Sequence, residues 1–259
     1  DGTRTIHPGG RRLRTALTAV QVGLAVILMV QISIMGRRLL TIESAPLGFD
    51  PAGTLAFTLE LPESRDLDAE RLRNFERQAV AQIETLPQVA SASLTSRVPI
   101  GDREQIVPVM IDNRPGGTPA EMPTRAIVAG GLDYFSTLRV PTEEGRVFTA
   151  ADAGSGPPAV VVSREAARRF WPGQSVVGRT LTVRADGWPA TPLRVVGVVR
   201  DVRPAESDMR VGPQVYVPWS WHPERRMRFV VRTTVDDPLQ LVPAIRGRMA
   251  VVEPDEPIF

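Results

Sequence analysis

Gly173-Gln174-Ser175-Val176-Val177-Gly178 is the nearest approach in this chain to a nucleophile motif. A serine displayed on a sharp strand-to-helix turn needs the spacing GxSxG. Here one residue too many separates the serine from the second glycine, so the segment reads as a loop leading into a strand. Asp66, Asp68 and Glu70 are spaced loosely as cation ligands. The same acids suit a helix start, where they cap free N–H groups and oppose the macrodipole. Glu253, Asp255 and Glu256 are interleaved with prolines and read as solvated. Trp219, Trp221 and His222 read as a packed or interface cluster rather than a sugar platform.

Missing residue types narrow the chemistry further. All 31 basic residues are arginine. A P-loop needs the lysine of GxxxxGK[ST], and a pyridoxal enzyme needs a lysine for its Schiff base. With no cysteine there is neither a thiol nucleophile nor a Cys-based zinc site. His7 and His222 fall on opposite sides of a long apolar run, too far apart to share a metal or a triad. The chain is therefore expected not to be an enzyme, with no catalytic, cofactor-binding or metal residues.

That apolar run organises everything else. Thr15–Gly36 is uncharged and bracketed by Arg11, Arg12 and Arg14 before it and Arg37 and Arg38 after it. As a helix it spans about 33 Å, enough for a bilayer core of about 30 Å. A buried core helix seldom runs this long between arginine clusters. A cleaved signal would have a shorter apolar region followed by small residues, not Arg37 and Arg38. The reading is a transmembrane helix, with membrane lipid as its first partner. Four arginines precede it and two follow, so the positive-inside bias puts residues 1–14 in the cytoplasm and the large remainder outside.

Charge agrees with that division. Residues 1–43 carry six arginines against two acids, net +4, and the remainder carries 25 against 27, net −2. A nearly neutral domain lacks the basic face that nucleic acid requires. Within the span, Ala16, Ala19 and Gly23 fall on one helix face, and Gln21, Gln31 and Ser33 could hydrogen-bond across a contact. These residues are the candidate site for packing against further helices; a plain anchor is the alternative.

Beyond a stalk at 37–50, alternation predicts a strand over Thr54–Leu61. A helix follows, carrying Leu72, Phe75, Ala79, Ile83 and Leu86, with Asp66 or Asp68 as its cap. A second strand is predicted over Val89–Ser96. The middle reads as short strands at Gln105–Ile111, Thr124–Val128, Ala159–Ser163, Arg179–Arg184 and Leu193–Val202, the last two joined through Asp186-Gly187, with a short helix over Arg164–Phe170. Strands near Val215–Pro218 and Arg228–Thr234 and a helix from Pro238 to Val252 complete the chain. The pattern implies an α+β domain over 51–259. Residues 51–98 and 205–259 would pair into one lobe, and 99–204 would form a β-rich insertion. The absence of a starting methionine and the abrupt end at Phe259 suggest an excerpt of a longer polypeptide.

A series of motifs carries a family resemblance: Arg-Arg-Leu-Arg (11–14), Ala-Val-Gln-Val-Gly-Leu-Ala (19–25), Gly-Phe-Asp-Pro (48–51), Leu-Pro-Gln-Val (86–89), Asp-Tyr-Phe-Ser-Thr-Leu (133–138) and Gly-Arg-Val-Phe (145–148) with Asp152. Ala-Arg-Arg-Phe-Trp-Pro-Gly (167–173), Val-Gly-Arg (177–179), Val-Val-Gly-Val-Val-Arg-Asp-Val-Arg (195–203), Pro-Gln-Val-Tyr-Val-Pro (213–218) and Val-Val-Arg-Thr (230–233) follow in order. In this order they resemble the MacB-like periplasmic core domain of FtsX-like ABC transporter permeases, most of all the duplicated orphan (ADOP) type. Ser163 stands where the family usually has asparagine, and Pro-Thr-Glu-Glu (141–144) replaces a more apolar run. The resemblance implies a two-lobed extracytoplasmic domain in a bacterial inner membrane protein, three further helices and a separate cytoplasmic ATPase. Pairing as a homo- or pseudo-dimer is a further expectation. A single-span sensor with an extracytoplasmic ligand-binding domain is the competing reading.

Overall fold

The structure is a computed structural model and describes residues 8–44, 46–62, 68–99, 106–112, 124–153, 159–184, 191–203 and 211–252. It divides into two compact units, Asp1–Pro46 and Leu47–Phe259. The first is helix α1, Pro8–Ser44, which runs on past the apolar segment at both ends. Its stretch Ala16–Gly36 is long and apolar enough to cross a membrane, with mean hydropathy 2.1 and no residue buried.

In the second unit, β1 (Thr54–Glu60), β10 (Arg226–Thr233) and β2 (Val89–Thr95) form an antiparallel triplet with β10 at its centre. Both chain ends therefore contribute to one sheet, as the hydrophobic patterning implies. One face of the triplet carries Phe57, Leu59, Met227, Phe229 and Val231, with Phe57 stacked on its cross-strand partner Phe229 at 5.0 Å. Helices α2 (Ala69–Glu84) and α5 (Val242–Val252) cover that face through Leu72, Ala79, Ile83, Ile245 and Met249. Asp68 caps α2 by accepting from the Arg71 N–H at 2.8 Å. Asp66, Asp186, Gly187, His7 and the acids at 253, 255 and 256 lie outside the described residues. Pro238 opens a 3₁₀ turn, Pro238–Leu241, capped by Asp237, before α5 begins.

The remaining strands close on themselves. Pairings run β4 (Thr124–Gly130) to β3 (Ile106–Ile111), β7 (Thr180–Val183), β8 (Leu193–Val199), β6 (Ala159–Ser163), β9 (Gln214–Pro218) and back to β4. This is a six-stranded barrel, which leaves no free edge around its circuit. Alternate residues point into the common core: Val107 and Val109, Ile127 and Ala129, Val160 and Val162, Leu181 and Val183, Leu193 and Val195, Val215 and Val217. Strand β9 lies within 205–259, the range expected to join the end-paired lobe, yet it hydrogen-bonds to β4 and β6 of the barrel. The physical reason is burial: all five of its residues are buried, so it needs a strand on each side.

Several short elements among the described residues escape the periodicity. Helix α3 (Tyr134–Thr137) is a single turn, β5 (Thr142–Gly145) is a short exposed strand on β8, and Ala150–Ala153 is a 3₁₀ turn. Glu143 of β5 pairs with Arg164 at the head of α4 (Arg164–Phe170), which gives the polar Pro-Thr-Glu-Glu segment its role. Ser163 caps α4, its hydroxyl accepting from the N–H groups of Ala166 at 3.3 Å and Gln214 at 3.1 Å. A side-chain acceptor is thus retained where the related pattern has asparagine.

Candidate functional site

Among the described residues, Ser175 and the tryptophans singled out in the sequence have structural partners. Ser175 donates to Glu144 Oε1 at 3.1 Å on the surface. Trp219 is 1% exposed and belongs to the core, with Trp221 half-buried against it. The tryptophan cluster is therefore packed. Trp171, of the Phe-Trp-Pro-Gly motif, donates its indole N–H to Asp112 Oδ2 at 2.9 Å, tying α4 to the end of β3.

The segment Leu47–Gly53, which begins the second unit, concentrates unusual geometry. Leu47 O accepts from Arg203 N–H at 2.9 Å, and Asp50 N–H donates to Leu138 O at 3.0 Å. Gly48 has φ +83°, and a Cβ there would lie 1.8 Å from Asp201 O, so no side chain fits. Asp50 Oδ1 takes the Ala52 N–H at 3.0 Å, an Asx turn that sets the bend.

Arg232 of β10 secures this turn from beneath. Its Nε donates to Thr137 O at 2.6 Å, Nη2 to Asp50 O at 2.6 Å and Nη1 to Ala52 O at 2.7 Å, with Asp50 Oδ2 at 3.4 Å. The residue is 4% exposed. A buried guanidinium survives only when its donors are satisfied, and three carbonyls do that here. Burial pulls its pKa below the ordinary arginine value, the nearby Arg139 adds to this, and Asp50 opposes it. Arg139, at φ +52°, pairs with Asp50 Oδ2 from the surface at 2.8 Å. The Asp50 carboxyl is held below its usual range, chiefly by the Ala52 N–H, with both arginines assisting. In the sequence Arg232 stands only as part of Val-Val-Arg-Thr, an arginine directly after the apolar run Phe229-Val230-Val231.

Around this clamp several motifs meet. Tyr134 and Phe135 of α3 lie 6.0 and 5.0 Å from Tyr216 of β9, and Phe148 lies 5.7 Å from Phe135. Gly197 of β8 packs where a Cβ would come 2.1 Å from Arg146 O, while Arg146 itself pairs with Asp152 at 2.5 and 2.9 Å. On the far face of the sheet lies a cleft of about 330 Å³. Arg73, Asn74, Glu76 and Arg77 of α2 form one wall, and Gly130–Leu132 and Pro218–Ser220 form the other. Desolvation pushes the half-buried Glu76 carboxyl up to about 7, with Arg77 opposing.

The expected packing residues Ala16, Ala19, Gly23 and Gln21 are exposed on α1, and a Cβ on Gly23 would meet nothing within 4 Å.

Comparison with known proteins agrees with this architecture. The fold is similar to the periplasmic region of MacB from Actinobacillus actinomycetemcomitans, with TM-score 0.53, 15% identity, and 85% of this chain and 93% of that one covered. It is also similar to the extracellular domain of the noncanonic ABC-type transporter YknZ from Gram-positive bacteria, with TM-score 0.50, 15% identity, and 78% and 93% covered. No curated protein matches in sequence. The family model of the MacB-like periplasmic core domain matches residues 15–247, which takes in the apolar helix, the clamp and the barrel alike; the chain belongs to this family of ABC transporter permease domains.

Proposed function

We propose that this chain is the non-catalytic permease subunit of an ABC-type transporter in the bacterial inner membrane. In this reading α1 is a membrane span with its N-terminus in the cytoplasm, and the α+β unit is periplasmic. A separate cytoplasmic ATPase drives the helices, and the domain passes that motion to export or envelope partners. The carrying observation is the clamp on Leu47–Gly53. A segment following a membrane helix can transmit movement only if it is fixed to what it must move. Arg232, itself held by Thr137 O, fixes this one together with Leu138 and Arg203. Family membership supports the transporter class.

The face carrying Ala16, Ala19 and Gly23, flanked by Gln21, is proposed to pack against other helices of the same permease or of a homo- or pseudo-dimeric partner. The decisive experiment is affinity purification of the tagged full-length protein in mild detergent, with its companions identified by mass spectrometry. An ATPase bearing a Walker lysine is expected. Recovery without any nucleotide-binding companion, from cells where the protein is fully expressed, would refute the reading.

A further inference from the structure

One continuous buried core joins the end-paired lobe to the barrel. Leu94, Phe229 and Ile83 belong to the same cluster as Ala129, Ile127, Val109 and Trp219. The walls of the cleft of about 330 Å³ are therefore fixed against each other, and Arg73 Nη1, bonded to Ser220 O at 3.0 Å, adds a tie across it. A cleft at the small end of ligand pockets, shaped in advance, binds without the cost of ordering its walls.

Two polar groups of its lining lack partners. The half-buried Glu76 carboxyl makes no hydrogen bond or ion pair with any described residue. On the opposite wall the buried indole N–H of Trp219 has no acceptor among the described residues. The arginines are better matched: Arg77 Nη2 donates to Asn74 Oδ1, as Arg73 does to Ser220 O. A desolvated carboxyl without a partner is costly. Leu72, Ala79 and Ile83 make the buried face of α2, so packing does not require a carboxyl at position 76.

We infer that the cleft binds a small zwitterion of the amino-acid class, its ammonium group on Glu76 and its carboxylate on Arg77. An ammonium supplies the donors that Glu76 lacks, through a charge-assisted bond. Arg77 commits one N–H to Asn74 and keeps the rest of its fork for a carboxylate. A simple cation is repelled by Arg73 and Arg77, and a simple anion by Glu70 and Glu76. A lining with both signs in balance is complemented by a ligand that carries both charges. Leu132 and Pro218 add apolar surface for a side chain to cover. The site does not depend on the transport reading proposed above.

The test is saturation-transfer NMR on the full-length protein in nanodiscs, at about pH 7.5, above the Glu76 value of about 7. The probes are the twenty free amino acids, with putrescine and succinate as ligands of a single sign. At least one amino acid is expected to receive saturation. Glu76→Gln and Arg77→Ala should each weaken its binding about tenfold or more, as loss of a hydrogen bond to a charged group does. Glu76→Gln keeps the shape of the side chain, so its melting temperature separates lost binding from lost folding. N-acetylation or amidation of the bound amino acid should abolish the signal. No saturation of any of the twenty would overturn the site. Binding that survives Glu76→Gln and Arg77→Ala together would lie elsewhere and overturn it equally. Putrescine or succinate binding as tightly as the amino acid would overturn the zwitterion.

Discussion

Arg232 holds the main-chain oxygens of Asp50 and Ala52, 182 and 180 residues earlier in the chain, with bonds of 2.6 and 2.7 Å. The last residues of the central strand thus grip the first residues of the domain. Arg232→Ala leaves three carbonyls without this donor and is expected to cost about 3–5 kcal/mol in denaturant unfolding, as breaking a buried charge network does. Arg139→Ala removes the exposed partner of the same Asp50 and should cost under about 1 kcal/mol. Equal losses for the two would show that burial does not set the strength of the clamp.

Glu76 provides a pH prediction. Its carboxyl rises from 4.5 to about 7 on folding, so between these values the folded state binds more protons than the unfolded state. Stability should therefore be highest below about 4.5 and fall as pH rises towards 7, then level off. After allowance for its half-exposure the contribution is of order 1–2 kcal/mol. In thermal melts between pH 4.5 and 8, Glu76→Gln should flatten this slope and be the more stable protein at pH 8.

Gly48 and Gly173 separate backbone strain from steric exclusion. Both have positive φ, +83° and +69°, but only at Gly48 would a Cβ collide, whereas at Gly173 it would meet nothing within 4 Å. Gly173→Ala should cost about 1–2 kcal/mol, the left-handed penalty alone. Gly48→Ala should cost roughly 3 kcal/mol or more, because the Asp201 backbone must also move. Chemical denaturation of the two variants, compared at equal m-value, measures the difference.

The helix face in the membrane has its own test. Gly23→Ile should separate packed helices and reduce recovery of companion subunits in detergent, while raising apolarity and leaving insertion intact. Leu24→Ile, about 100° around the helix, should leave recovery unchanged. Identical recovery for both would make the span a plain anchor.

The elements whose signals are local were legible in the sequence. The apolar run at Thr15–Gly36 declares itself by length and flanking charge. Asp68 marks the start of α2, and alternation in Thr54–Glu60 and the valine-rich run in Leu193–Val199 mark strands. The pairing of both chain ends was legible too, because each end offers strands and an amphipathic helix that need a shared face. Partners remote in the chain were not. Strand β9 reads as one short apolar run, and only the closing of the barrel decides that its neighbours are β4 and β6. Arg232 reads as one charge in Val-Val-Arg-Thr until the fold brings Asp50, Ala52 and Thr137 to its guanidinium. The cleft wall of Arg73 and Glu76 acquires its opposite side from Trp219 and Ser220, about 145 residues further on. Periodicity records how a segment divides between water and core, and capping records where it starts. Which buried surface meets which is settled by satisfying backbone and side-chain donors across the whole chain at once, and that constraint exists only in three dimensions.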